Sequence, residues 1–161
     1  MSLNIADLFE HAVDAAPDNR AVMIGDRVVS YAELETEANK LAHFLASRGV
    51  GQGDHVGIYA KNSIEHVVAV LAIVKIRAVN INVNYRYVEG ELNYLFENAE
   101  MVALIHERPY APIVAACAPK HEKLRTFVAI PDVTDPGNDA ECCHTHRSGL
   151  CGIVTRRTSH N

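Results

Sequence analysis

The stretch KNSIEHVVAVLAIVKIRAVNINVNYR, residues 61–86, decides the fold, because it joins an apolar helix directly to a strand. Asn62 or Ser63 can cap the helix, and Glu65, three residues after Asn62, can return its carboxylate to the free N–H groups of the first turn. From Ile64 to Ile76, Val67, Val68, Val70, Leu71, Ile73 and Val74 cover most of the helix circumference, so it must be covered on two sides. Each such side chain contributes roughly 1.5–3 kcal/mol when fully buried. Ala78 to Val83 then alternates with period two and reads as a buried strand. A helix leading into a strand is half of a βαβ unit.

The pattern extends in both directions. Upstream, residues 5–16 read as an amphipathic helix stopped by Pro17. Ala21–Ile24 and Val28–Ser30 flank Gly25-Asp26-Arg27 as a β-hairpin. Ser30 and Glu33 form a capping box for a helix whose buried stripe is Leu34, Ala38, Leu41, Ala42 and Leu45, ended by Gly49. His55–Ala60 is a strand feeding the organising helix. Downstream, helix 88–99, strand 101–105, helix 110–118 and strand 124–130 repeat the alternation. The reading is an α/β fold with a mostly parallel sheet flanked by helices.

Composition excludes several classes. The 161 residues are 48% hydrophobic and 22% charged, enough for one domain with a core. A net charge of −5 gives no electrostatic reason to bind nucleic acid or anionic membrane. No apolar run is long enough to span a bilayer, and MSLNIADLFEH lacks the basic and apolar regions of a signal peptide. The cytoplasm is the expected compartment, and Cys117, alone among the first 140 residues, fits its reducing conditions.

The order fails beyond Pro131. Residues 136–161 read as an irregular, disordered tail in which Cys142, Cys143, His144, His146 and Cys151 crowd together. Adjacent cysteines and an HxH pair do not match structural zinc spacings. Translation out of the original reading frame explains a segment of such foreign composition more simply.

Few residues offer chemistry. Gly49, Gly51 and Gly53 follow a helix and precede a strand, the wrong direction for a phosphate loop, and read as a helix cap and tight turn. His66 and Glu65 are adjacent on a helix, point about 100° apart and form no relay. His43 reads as a core-edge histidine. His106 and Glu107 end a strand at the expected ligand-facing edge and are the best generic candidates. Tyr85, Arg86 and Tyr87 read as loop anchors.

Five motifs carry a resemblance: Val29-Ser30-Tyr31-Ala32-Glu33-Leu34, Ala38-Asn39-Lys40-Leu41-Ala42, Gly49 to Val56, Lys61-Asn62-Ser63-Ile64-Glu65 and Asn82-Val83-Asn84-Tyr85-Arg86. In this order and spacing they resemble the N-terminal part of the acyl-CoA synthetases of the adenylate-forming superfamily, over roughly residues 4–135. KIRAVNINVNYRYVEGEL is most similar to actinobacterial fatty-acyl or steroid side-chain CoA ligases, with Arg77 in place of the wider family's glycine. The resemblance implies an incomplete N-terminal portion of the adenylate-forming fold in residues 1–135. It also implies activation of a fatty or steroid carboxylic acid by ATP and magnesium to an acyl-adenylate, then transfer to coenzyme A. The family's phosphate loop, its adenine site and the lysine of its C-terminal domain are expected downstream of this chain. No catalytic, cofactor-binding or metal-binding residue is therefore carried over, and no cofactor is expected on this fragment, which is expected to be inactive alone. The alternative is a non-catalytic module that associates with a full-length ligase, or with itself, through an exposed sheet surface.

Overall fold

The computed structural model describes residues 4–131. The candidate zinc ligands Cys142, Cys143, His144, His146 and Cys151 lie outside them. Helix α1 (Ile5–Ala15) opens with a reciprocal capping box, Asn4 with Asp7. Strands β1 (Arg20–Ile24) and β2 (Arg27–Ser30) pair antiparallel around the two-residue turn Gly25-Asp26, where Gly25 takes φ +58°. The expected Ser30–Glu33 box starts α2 (Tyr31–Ser47), and its buried residues are the five of the expected stripe.

The main sheet contains β3 (His55–Tyr59), β4 (Val79–Val83), β5 (Ala103–Glu107) and β6 (Thr126–Ile130), all parallel, in the order β4-β3-β5-β6. Helices α3 (Ile64–Lys75), α4 (Glu89–Asn98) and α5 (Ala111–Cys117) connect them, with single helical turns at Arg108–Tyr110 and Ala118–Lys120. Side chains alternate across the sheet as the pleat requires. Val56, Ile58, Ala103, Ile105 and Val128 join α2 and α3 in one core, and Tyr59, Val83 and Leu104 join α4 and α5 in the other. Gly57 faces the second core, where an added Cβ would lie 2.7 Å from Met101 Sδ and 2.8 Å from Leu104 Cδ1.

Three expectations change. Ser63 caps α3, and the Glu65 carboxylate reaches Arg27 at 2.8 Å instead of its own first turn, tying α3 to the hairpin. β4 is a sheet edge and not a buried strand, with Val79 41% exposed, because the chain crosses from β4 past β3 to place β5 on the far side. The expected strand 101–105 begins two residues later, so His106 and Glu107 lie within β5. Both faces of the sheet are covered by this chain's own helices, and what it leaves open among the described residues is its two edges, β4 and β6.

Candidate functional site

The chain leaves β3 toward β4 through α3 on one face, and leaves β5 toward β6 through α5 on the other. Adjacent strands whose connections diverge open a crevice at their carboxyl ends, the usual ligand position in an open α/β sheet. Here that position holds Tyr59, Ala60 and Lys61 after β3, Ser63 at the start of α3, and His106 and Glu107 at the end of β5.

Glu107 is fully buried because β5 lies between two strands and under α3. Its Oε1 accepts the Lys61 backbone N–H at 2.9 Å, and the Lys61 ammonium stands 3.9 Å from Oε2. The backbone at Lys61 also favours the protonated form of the nearby His66 ring. Burial holds His66 below the usual histidine range, the Lys61 backbone pulling the other way, and its Nδ1 is enclosed without a hydrogen-bond partner. His106 is buried, with Nδ1 2.9 Å from the Glu107 carbonyl oxygen, and burial depresses its pKa as well, against that bond. On the other face the Tyr59 hydroxyl donates to the Tyr87 carbonyl at 2.7 Å and its ring packs 4.4 Å from that of Tyr110. Burial, then the neighbouring Tyr110, raises the Tyr59 pKa.

This arrangement closes the crevice and offers little for chemistry. The Lys61 N–H that could meet an anion is held by Glu107, and Ser63 Oγ is spent on the His66 N–H at 2.9 Å. A buried carboxylate beside the helix start also repels phosphate. The turn does not fit a nucleotide phosphate. His106 and Glu107, the best candidates from sequence, are brought together with Lys61 and His66 as an internal clamp. Glu65 is drawn away to Arg27, and His43 is exposed, not at the core edge, since Phe44 takes the inward position. Tyr87 anchors through its carbonyl, while Arg86 lies over the exposed Tyr85 ring at 5.5 Å. Gly49 and Gly53 cap and turn at φ +77° and +82°. The sequence reading missed Tyr59 and Lys61. Their signal was a strand running without a glycine loop into Lys-Asn-Ser, which becomes informative only once β5 is known to be the neighbour.

A second cavity, about 640 Å³, lies at the opposite end of the sheet between Phe96, Glu97, Met101, His121 and Lys123. Its rim is laced by internal bonds, His121 to Asn93 at 3.0 Å and Lys123 to Glu100. No group of three or more metal-binding side chains occurs among the described residues, and none of their helices is long and apolar enough to cross a membrane.

A parallel sheet with helices on both faces is shared with known proteins. The family model described as AMP-binding enzyme matches residues 9–147, and the chain belongs to that family. Its relatives include the medium/long-chain-fatty-acid–CoA/3-oxocholest-4-en-26-oate–CoA ligase of Mycobacterium marinum, 54% identical over 135 residues. The 3-oxocholest-4-en-26-oate–CoA ligase of Rhodococcus rhodochrous is 55% identical over the same length. Each alignment covers 84% of this chain and 24% of the relative, so the chain spans about a quarter of the length of the ligases it matches. Among solved structures, the N-terminal domain of FACL13 from Mycobacterium tuberculosis superposes with a TM-score of 0.74 at 22% identity, over 80% of this chain and 33% of that one. The anthranilate CoA ligase AuaEII gives 0.75 at 24% identity, over 80% and 25%. These two show the fold, which is that of adenylate-forming N-terminal domains.

Proposed function

We propose that this chain is the N-terminal portion of an ATP-dependent acyl-CoA synthetase acting on a fatty or steroid side-chain carboxylic acid, and that it has no ligase activity alone. The observation that carries the reading is identity of 54–55% with such ligases over only about a quarter of their length. The chemistry of the site agrees. A carboxylate becomes an acyl donor only when a good leaving group is attached, which needs a phosphate cradle, and the switch-point turn uses its donors internally. ATP, magnesium and coenzyme A belong to the remainder of the ligase, and the described residues act as scaffold.

Two measurements test this. Purified chain, mixed with ATP, magnesium and either a medium-chain fatty acid or 3-oxocholest-4-en-26-oate, is expected to show no ATP–pyrophosphate exchange; acid-dependent exchange overturns its inactivity alone. Residues 1–131 grafted onto the remainder of the Mycobacterium marinum ligase are expected to give an active chimera. A folded chimera that activates neither acid overturns the ligase reading.

A further inference from the structure

We infer that the edge of β4, unpaired among the described residues, is an interaction surface for a second copy of this chain, which adds antiparallel to it about a two-fold axis at Ile81. The inference does not depend on the ligase reading. It starts from the strand sequence Val79-Asn80-Ile81-Asn82-Val83, which reads identically in both directions. An antiparallel pair centred on Ile81 therefore sets Ile81 opposite Ile81, Val79 opposite Val83 and Asn80 opposite Asn82. A two-fold interface requires such self-complementarity.

The backbone has the matching register. The Val79 N–H donates to the Asp54 carbonyl on the β3 side at 2.8 Å. In a parallel pair, alternate residues turn their peptide groups to the same neighbour, so those of Asn80 and Asn82 turn outward. In the centred pair these are the residues that face each other, and each Asn80–Asn82 pair exchanges both N–H···O bonds. Any register displaced by one residue brings inward-turned groups to the edge and loses them.

The side chains fit as well. Ile81 and Val83 lie on the α4 face, so the pair extends an apolar ladder there. Asn80 and Asn82 share the α3 face. Asn80 Oδ1 is buried and has no hydrogen-bond partner, although a buried acceptor normally has one. Enclosed by this chain's own atoms, it takes no part in the pairing, which rests on the backbone register and the apolar ladder. Natural sheet edges exclude partners with charge, proline or a bulge, and β4 has none of these. Because the helices cover both faces, a partner strand meets this edge without displacing them.

Sedimentation velocity of the whole chain, kept reduced so that its cysteines cannot cross-link, is expected to show a concentration-dependent dimer. Asn82→Pro removes an outward N–H and no bond to β3, and Val79→Lys places a charge on the apolar ladder. Each is expected to weaken association by roughly tenfold or more, without changing the thermal unfolding of the dilute monomer. Hydrogen exchange at the Asn80 and Asn82 amides is expected to be slow in the dimer and fast in Val79→Lys. A chain that stays monomeric at every concentration overturns the inference. So does a dimer indifferent to both variants, or a monomer with those amides already protected, since another segment then holds the edge.

Discussion

Arg77→Gly is expected to stabilise this chain. Helix α3 ends in a Schellman motif, in which the Ala78 N–H donates to the Ile73 carbonyl and the Arg77 N–H to the Val74 carbonyl, both at 3.1 Å. That geometry forces Arg77 to φ +59°, a conformation costing a residue with a Cβ about 1–2 kcal/mol. The chain contains its own control. Helix α2 ends in the same motif, Val50 N–H to Leu45 and Gly49 N–H to Ala46, with glycine at φ +77°. Glycine at position 77 relieves the strain but frees the unfolded backbone, which returns about 0.4–1 kcal/mol. The net gain is about 0.5–1 kcal/mol, or about 1–4 °C in melting temperature for a domain of this size. The Arg77 carbonyl still accepts the Gly53 N–H at 3.0 Å, so the turn into β3 is untouched. Urea unfolding followed by circular dichroism measures the gain. Arg77→Ala keeps the strained backbone, removes the same charge and is expected to change stability by less than about 0.5 kcal/mol. Gly49→Ala is expected to cost about 1 kcal/mol. If Arg77→Gly matches Arg77→Ala, the strain argument is wrong.

Three further outcomes follow from the packing. Gly57→Ala drives a methyl against the tips of Met101 and Leu104 and is expected to cost about 1–2 kcal/mol in urea unfolding. Adding Met101→Val recovers part of that, and a strictly additive double mutant refutes the clash. Lys75, its side chain 7% exposed, ties α3 to Glu10 of α1 and, at 2.8 Å, to Glu35 of α2. Burial lowers its pKa, but the two carboxylates more than offset this and hold it above the usual lysine value. Lys75→Met strands Glu35 and is expected to cost about 2–4 kcal/mol, against less than about 1 for Glu10→Gln at the exposed end. Equal costs refute the hub. His106 and His66 are both held low by burial, so the unfolded chain protonates first as pH falls. Their contribution is complete above about pH 6.5 and is lost as pH falls toward the folded values. The urea midpoint is expected to decline from about pH 7 to about pH 5, and His106→Gln to flatten that decline.

Local signals carried the helices well. The Ser30–Glu33 box, the five-residue stripe of α2 and the Gly49 cap are each written within one turn of chain, and each is where the sequence places it. Failures arose where a residue's environment depends on distant strands. Alternation in Val79–Val83 states that the strand has two kinds of face, but only the order β4-β3-β5-β6 makes it an edge. Glu65 had an acceptable local partner and took Arg27, 38 residues away in sequence. The strand position of His106 and Glu107 was legible to within two residues. Their burial was not, because it follows from β5 lying between β3 and β6. For the same reason the motifs identified the family while the role of Glu107 stayed hidden.

Burying Glu107 has a cost that bears on the function. Desolvating a carboxylate at the end of a central strand costs several kcal/mol unless strong partners surround it. The chain offsets this with the Lys61 peptide N–H and ammonium at the point where an open sheet would otherwise receive a ligand. The buried Glu107 side chain fills the crevice and, through the Lys61 N–H, holds the turn from β3 into α3, while the Arg27–Glu65 pair ties the hairpin to α3. This agrees with the scaffold role proposed above for the described residues. With both faces covered by helices, strand edges remain the natural places for such a scaffold to meet another polypeptide, and β4 is the edge whose residues complement themselves.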